Sequence, residues 1–536
     1  MAFQTLLQRN TYYDSITLMS LAQAVKALPG VEDIGAVMAT ELNRELLRNS
    51  NLLPEDFLAG LDKPPGPEDL LIVVRAENQE IAAAALKAAQ DRLTSHVEQV
   101  SEGATTTPVR TIEKAVQRDP DANLAVISVA GEHAWLEAQQ ALEAGLHVFL
   151  FSDNVPVEQE KRLKSLAVEK GLLLMGPDCG TAIINGVGLG FSNVVPRGSI
   201  GVVGASGTGM QEITCLIAAA GLGISQAIGT GGRDLSEAIG GVMTRKGLEL
   251  LADDPQTEVI VLVSKPPAER VAREILAAAQ LQKPVVAVFL GADPERFAQA
   301  AGKVHLARTL TEGAELAVTL AGVSADQMPG KGVLLQYQAK LAGEREKLAP
   351  SQHYIRALYS GGTLCDEAML LMSEHVGPIA SNIPLRPEWA FSEGKTFQGH
   401  TALDLGSDEF TRGRPHPMID PTLRLQYLSR AADDPETAVI LLDIVLGFCS
   451  HPNPAGIYAQ AISQARGKAA RDGRSLPVII SLCGTEGDPQ RLSTQRTVLE
   501  AAGALVFESN IAAALAAVSI VDKNASDIFT VEASYE

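Results

Sequence analysis

Apolar residues in this chain fall into short continuous runs separated by amphipathic stretches, and the spacing changes along its length. Early strands at Phe3–Leu7, Ile34–Met38 and Leu70–Val74 alternate with helical spacing over Ser15–Leu28 and Ile81–Thr94, which predicts a small α/β domain over residues 1–115. From Leu124 the pattern becomes strand, helix, strand. LAVISVA at 124–130 is followed by a helix from Glu132 that Gly145 stops, then VFLF at 148–151. A second helix lies between Pro156 and Gly171, ahead of LLLM at 172–175. Strands apolar at every position need cover on both faces, so residues 116–197 are expected to form a Rossmann-like parallel sheet flanked by helices.

The rest of the chain repeats itself. ADDPQTEVIVLV at 252–263 and ADDPETAVILLD at 432–443 agree at eight of twelve positions. Flanking pieces recur in the same order: Ser206-Gly207-Thr208-Gly209 is echoed by Ser360-Gly361-Gly362-Thr363, and Lys283-Pro284-Val285-Val286 by Leu476-Pro477-Val478-Ile479. Two homologous α/β domains are therefore expected at 198–325 and 353–522. A partly helical linker at 326–352 would join them, and a tail at 523–536 would follow.

Composition narrows the function classes. The 536 residues carry a formal charge of −20 without long acidic runs, which disfavours nucleic acid and anionic membranes as partners and requires a locally positive pocket for any small anion. With no apolar run near the roughly 20 residues of a membrane helix and no cationic, apolar leader, the chain is expected to be cytoplasmic. Five widely spaced cysteines without a C-x-x-C pair indicate neither a disulfide framework nor a metal site.

The candidate chemistry lies at strand ends. The strand Ile200–Val203 runs into Gly204-Ala205-Ser206-Gly207-Thr208-Gly209 and then a helix, an arrangement in which unpaired N–H groups and the helix dipole favour an anion. A lone glycine-rich turn is usually only a tight turn, but Ser360, Gly361, Gly362 and Thr363 repeat it, so two helix N-termini could face one anion. Gly447 ends a further strand at the edge where open α/β sheets bind ligands. Arg233, Arg414 and Lys265 supply cations that could grip an anion or make structural ion pairs. His416, between two prolines, is a candidate acid, base or anion donor, against the plainer reading of an exposed loop histidine. Asp178 and Cys179 lie in Met175-Gly176-Pro177-Asp178-Cys179-Gly180. With no histidine nearby, that segment is read as a structural turn with ligand contact, not a nucleophile site.

These residues resemble the succinyl-CoA synthetases. Met175–Gly180 looks like that family's G-P-N/D-C-x-G turn, Gly201–Glu212 like its strand–S-G-T–helix segment, and Gly229–Asp234 like its G-x-G-G-D loop. The second repeat is similar to the carboxyl-terminal domain of the other synthetase subunit, through Ala402–Gly406 and Val439–Gly447. The fusion of alpha-type and beta-type ligase domains, with the small N-terminal domain and GRPHPMIDPTLR at 413–424, is identified as an FdrA-family arrangement over essentially the whole length. The resemblance implies a CoA-binding-type domain at 116–197 and two flavodoxin-like domains.

The departures are specific. The synthetases carry a phosphorylated histidine in a G-H-A-G-A stretch where this chain reads GADPERFAQAAGK, and the glutamate supporting it corresponds to the Ser264-Lys265-Pro266 position. The ATP-grasp domain is missing, and no G-x-x-x-x-G-K-[ST] loop replaces it. FdrA-type proteins are linked to an oxamate carbamoyltransferase that takes oxalurate and phosphate to oxamate and carbamoyl phosphate. On that resemblance, phosphate as substrate would be held by Ser206, Gly207, Thr208, Ser360, Gly361, Gly362, Thr363 and Gly447. Lys265 and His416 would be catalytic, and Arg233, Arg414, Asp178 and Cys179 would contact substrate. Other subunits and a homo-oligomer are expected partners, CoA is a candidate ligand, and no metal is expected. The alternatives are a CoA-ligase subunit and a non-catalytic phosphate- or acyl-sensing scaffold.

Overall fold

The computed structural model describes residues 109–324, 328, 333–391, 397–411 and 414–522, and most of 2–102. Within 2–102, residues 10, 12, 14, 27, 41–42, 45–46, 49–51, 54–56, 58–60 and 62 lie outside the described set. The expected tail at 523–536 and residues 326–327 and 329–332 of the expected linker also lie outside it. The chain divides into two units, Met1–Arg110 and Thr111–Glu536.

In the first unit an antiparallel sheet runs in the order Ala2–Gln8, Leu70–Ala76, Val31–Met38. The central strand is apolar from Leu70 to Val74 because both faces are covered there. Leu70, Ile72 and Val74 pack with Leu18, Leu21, Val25, Ala85 and Ala89, while Leu71 and Val73 meet Leu47, Leu52 and Leu53.

The second unit opens with a three-stranded parallel sheet, Leu124–Ile127, His147–Leu150 and Leu174–Met175. The hairpin Thr181–Ile184 and Val187–Gly190 instead joins the edge of the next sheet, pairing antiparallel with Ile224–Gly229. That sheet continues through Arg197–Ala205, Val259–Ser264, Val285–Phe289 and His305–Ala307, all parallel. The second repeat builds the same order: Ile379–Ala380, His400–Asp404, Tyr354–Tyr359, Thr437–Val445, Val478–Cys483, Leu505–Phe507. In both sheets the first strand of the repeat is central, with Ile224–Gly229 or His400–Asp404 on one side and the ADDP strand, Val259–Ser264 or Thr437–Val445, on the other, the flavodoxin-like order; the second repeat adds the short strand Ile379–Ala380 outside His400–Asp404.

The repeated ADDP sequence is a helix-to-strand joint. Asp254 and Asp434 cap the helices Val242–Asp253 and Thr422–Asp433, and their carboxylates accept from the N–H of Gln256 and Glu436, both at 3.0 Å. The Thr257 and Thr437 hydroxyls donate to the same carboxylates at 3.0 and 3.3 Å. This side-chain turn stops the helix and sets the strand's entry, which is why the residues recur in both repeats.

Four helices position the candidate site: α1 (Gly207–Ala219), α2 (Leu310–Leu320), α3 (Gly362–Val376) and α4 (Asn510–Val521). They share one core, in which Ile213 and Leu216 of α1 and Ala314 and Val318 of α2 belong to the same cluster as Leu364, Ala368, Ala513 and Ala517. The helix Val333–Glu346, within the expected linker, adds fully buried Leu334 and Leu341 to that core.

Candidate active site

Both α1 and α3 follow directly on central strands. Ser206 is the N-cap of α1, with extended backbone, and its Oγ accepts from Gly209 N–H at 3.1 Å. α3 begins after Gly361, which has no side chain to cap it. The two N-termini meet: Ser206 Oγ lies 2.6 Å from Thr363 Oγ1. The approach is close enough that a Cβ on Gly361 would stand 2.5 Å from Thr208 Cγ2.

That hydroxyl contact is itself sealed, because Ser206 and Thr363 are both buried. Gly207, Thr208 and Gly362 beside it remain partly open. Lys265, just past the end of the strand Val259–Ser264, reaches the same place. Its Nζ and the Oδ2 of Asp404 lie 2.5 and 2.6 Å from the position of a Gly362 Cβ, so only glycine leaves room for both. Burial alone would lower the Lys265 pKa, but Asp404, Asp366 and Asp178 outweigh it and hold the ammonium above its ordinary value. Among the described residues no hydrogen bond or ion pair reaches that ammonium.

The other expected phosphate ligands are differently employed. Ser360 N–H and Gly361 N–H donate to the Asp443 carboxylate at 2.8 and 3.1 Å, and Ser360 Oγ donates to it as well. Asp443 is in turn held by buried Arg424. Ser360 and Gly361 therefore face a protein carboxylate, not a ligand, which corrects their assignment. Gly447 is corrected likewise: its N–H donates to Gln490 Oε1 at 3.1 Å and its carbonyl accepts from Gln490 Nε2.

Among the cations, Arg233 donates to Glu160 Oε2 at 3.0 Å and to Val155 O at 2.7 Å, so it braces the loop instead of standing free for a carboxylate. Arg414 is exposed on its loop. His416 packs tilted against Phe191, with ring centroids 5.3 Å apart, and accepts from Met418 N–H at 3.3 Å through Nδ1. Burial lowers its pKa to about 4, with Arg424 adding to the effect. Its ring is then neutral at pH 7 with the proton on Nε2, which removes it as a cationic acid. Asp178 is exposed at a left-handed turn (φ 55). Cys179 is 2 % exposed and burial pushes its thiol up to about 12, so it packs the turn and does not touch substrate.

Two features escaped the sequence reading. Asp366 on α3 shares the Lys265 site. Deeper in, Glu212 Oε1 of α1 accepts from the first N–H of α4, at Asn510 (3.0 Å), while Glu367 Oε1 of α3 accepts from the first N–H of α2, at Leu310 (2.7 Å). Each repeat thus caps the last helix of the other. The readable signal was spacing, since each glutamate falls six residues after its helix's N-cap, 206 to 212 and 361 to 367.

Paired flavodoxin-like sheets whose strand-end helices face one another define a CoA-ligase type of architecture, and the family comparisons agree. Residues 358–520 match the CoA-ligase family and residues 196–291 the CoA binding domain family. The CoA-binding match thus covers the first repeat, not the segment 116–197. Residues 1–109 match the AllF, heavy metal-associated domain family. The chain belongs to the family of the Escherichia coli (strain K12) protein YahF, to which it is 44% identical over 516 residues, covering 95% of this chain and 97% of YahF. It is also 32% identical over 229 residues to the succinate–CoA ligase alpha-2 subunit of Trichomonas vaginalis, covering 40% of this chain and 73% of that one. With a succinate–CoA ligase alpha 2 subunit of Archaeoglobus fulgidus it shares 32% identity over 190 residues, 34% of this chain and 64% of that one. Although its domain family is named for heavy metals, the segment 1–109 contains no cysteine, and among the described residues no group of three His, Cys, Asp or Glu side chains could hold a metal ion. No described helix is long and apolar enough to cross a membrane.

Proposed function

We propose that this chain is the phosphate-holding subunit of a carbamoyltransferase converting oxalurate and phosphate to oxamate and carbamoyl phosphate in allantoin degradation. The observation that carries the reading is Lys265, an ammonium held charged between two helix N-termini with no hydrogen bond or ion pair of its own among the described residues. A small anion would complete that site, bridging Lys265 and the open amides of Gly207, Thr208 and Gly362. The AllF-type N-terminal match supports the ureide connection. The stretch Gly291–Lys303 holds no histidine, and His305 sits exposed on the following strand, so phosphate would serve as free substrate and not as a phosphohistidine.

In this reading the fixed donors position phosphate for attack on the carbamoyl carbon of oxalurate and stabilise the oxyanion that develops, effects that can each supply several kcal/mol. Ser206, sealed beneath the site, positions the α1 terminus and does not bind the anion. The test is phosphorolysis of oxalurate by the complex with its partner subunits. Lys265→Ala is expected to lose carbamoyl phosphate formation about 100-fold or more, and Ser206→Ala to lose less. Wild-type rates in both would remove the assignment.

A CoA-ligase subunit is the second reading, favoured by the CoA-binding family match at 196–291. Tight CoA binding by the chain, with thioester formation in the presence of a nucleotide-binding partner, would replace the first reading. Full activity of the partner subunits without this chain would point instead to a scaffold.

A further inference from the structure

Asp366 lies four residues after Gly362 on α3, and so on the same helix face one turn further in. That face is where Lys265 Nζ and Asp404 Oδ2 stand. Asp366 is 9% exposed, yet among the described residues its carboxyl makes no hydrogen bond or ion pair. The residue is nearly buried, but its carboxyl oxygens keep contact with solvent, so the group is accessible and is not spent on holding the fold.

Two of the neighbouring carboxylates already have structural work, and a third that acts on Lys265, Asp178, is exposed on its own turn. Asp443 accepts from Ser360, Gly361 and Arg424, and Asp404 Oδ1 accepts from Gly406 N–H at 3.0 Å. The equivalent position on α1 is Gln211, whose amide donates to Asn193 Oδ1 at 3.0 Å. Packing of the paired helices therefore does not require an acid at this position. Burial pushes the Asp366 carboxyl up to about 7, against the pull of Lys265 and with a contribution from Asp404. A group titrating there can both take and give a proton at neutral pH.

The proposed reaction needs one proton moved. Hydrogen phosphate loses its proton as its oxygen bonds to the carbamoyl carbon, and the oxamate nitrogen gains one as the C–N bond breaks, so no further acid or base is consumed. We propose that Asp366 is the group that carries this proton, accepting it from hydrogen phosphate and returning it to the departing nitrogen. This role rests on the carbamoyl-transfer reading, and it fills the place that neutral His416 cannot fill.

The experiment is Asp366→Asn in the complete complex with its partner subunits, assayed with oxalurate and inorganic phosphate across pH. The expected result is a kcat reduced about 100-fold or more, with the limb near pH 7 lost from the pH profile. The phosphate KM should stay within about twofold, since the anion's donors are untouched. Asp366→Glu, which keeps a carboxyl, should retain part of the rate and a pH limb. A wild-type kcat and profile in Asp366→Asn would overturn this role while leaving the Lys265 site standing, and so would a loss seen only in KM. Absence of carbamoyl phosphate from the wild-type complex would overturn the underlying function and this role together.

Discussion

Ser206 and Ser360 each follow the central strand of their repeat, but they occupy different steps of the turn. Ser206 is the N-cap of α1, whereas the N-cap of α3 is Gly361, one residue after Ser360. The second turn is one residue longer, and that shift moves its serine out of the capping position and onto Asp443. Thr208 and Thr363, and Glu212 and Glu367, stay in register when the N-caps are aligned. A single-residue insertion has therefore made one turn self-capped and the other dependent on a buried carboxylate–guanidinium pair.

If that contrast holds, removing the carboxylate hurts most. Asp443→Ala would leave Arg424, 1% exposed, as an uncompensated buried charge and strip the Ser360 and Gly361 amides of their acceptor. The expected loss is about 3–5 kcal/mol, read from denaturant unfolding. A loss no greater than that of Ser206→Ala would mean the two turns are equivalent after all.

The reciprocal glutamates give the next effect, and it depends on pH. Burial pushes Glu212 up to about 8 and Glu367 up to about 7, from an ordinary value of 4.5. The folded state then binds protons that the unfolded state has released, so this stabilisation is complete below about pH 4.5 and is lost as pH rises through 7 to 8. For Glu212 the loss between pH 6 and pH 8 is on the order of 2 kcal/mol. Glu212→Gln keeps the acceptor for Asn510 N–H and should flatten the dependence. Glu367→Gln would set an amide donor against Asn510 Nδ2, which now donates to Glu367 Oε2 at 2.8 Å, and should destabilise at every pH. Unfolding midpoints of both variants at pH 6 and pH 8 decide it.

A smaller change probes the open side. Gly362→Ala puts a methyl where Lys265 Nζ and Asp404 Oδ2 now stand, and Lys265 is the more mobile of the two. Displacing it should weaken phosphate binding about tenfold while costing about 1–2 kcal/mol of stability. Phosphate affinity unchanged from wild type would show that Lys265 does not need its present position.

Much of the fold was legible because its signals are local. Val259–Ser264 reads as a buried parallel strand and every residue in it is buried, and the ADDP repeat marks a turn whose hydrogen bonds are made within three residues. The site was legible only in outline. That two glycine-containing turns would meet followed from duplication, but which amides stay open depended on a carboxylate 83 residues from Ser360 and on Gln490, 43 residues from Gly447. Arg233 reads as a free cation until Glu160, 73 residues away, is placed beside it. Asp366 was invisible for the opposite reason, since nothing in its neighbourhood separates it from an ordinary polar position on a helix until the fold buries it.

The smallest effect tests the cap itself. Ser206→Ala removes the acceptor for Gly209 N–H and the 2.6 Å contact with Thr363, and an N-cap of this kind contributes about 1 kcal/mol. The matching change, Ser360→Ala, removes a hydroxyl but leaves both backbone amides on Asp443, so it should cost less than Ser206→Ala although Ser360 makes as many contacts. The order of the two unfolding free energies is the sensitive quantity. If Ser360→Ala proves the more costly, the hydroxyl and not the backbone pair anchors the second turn, and the one-residue shift has not made that turn depend on its backbone amides.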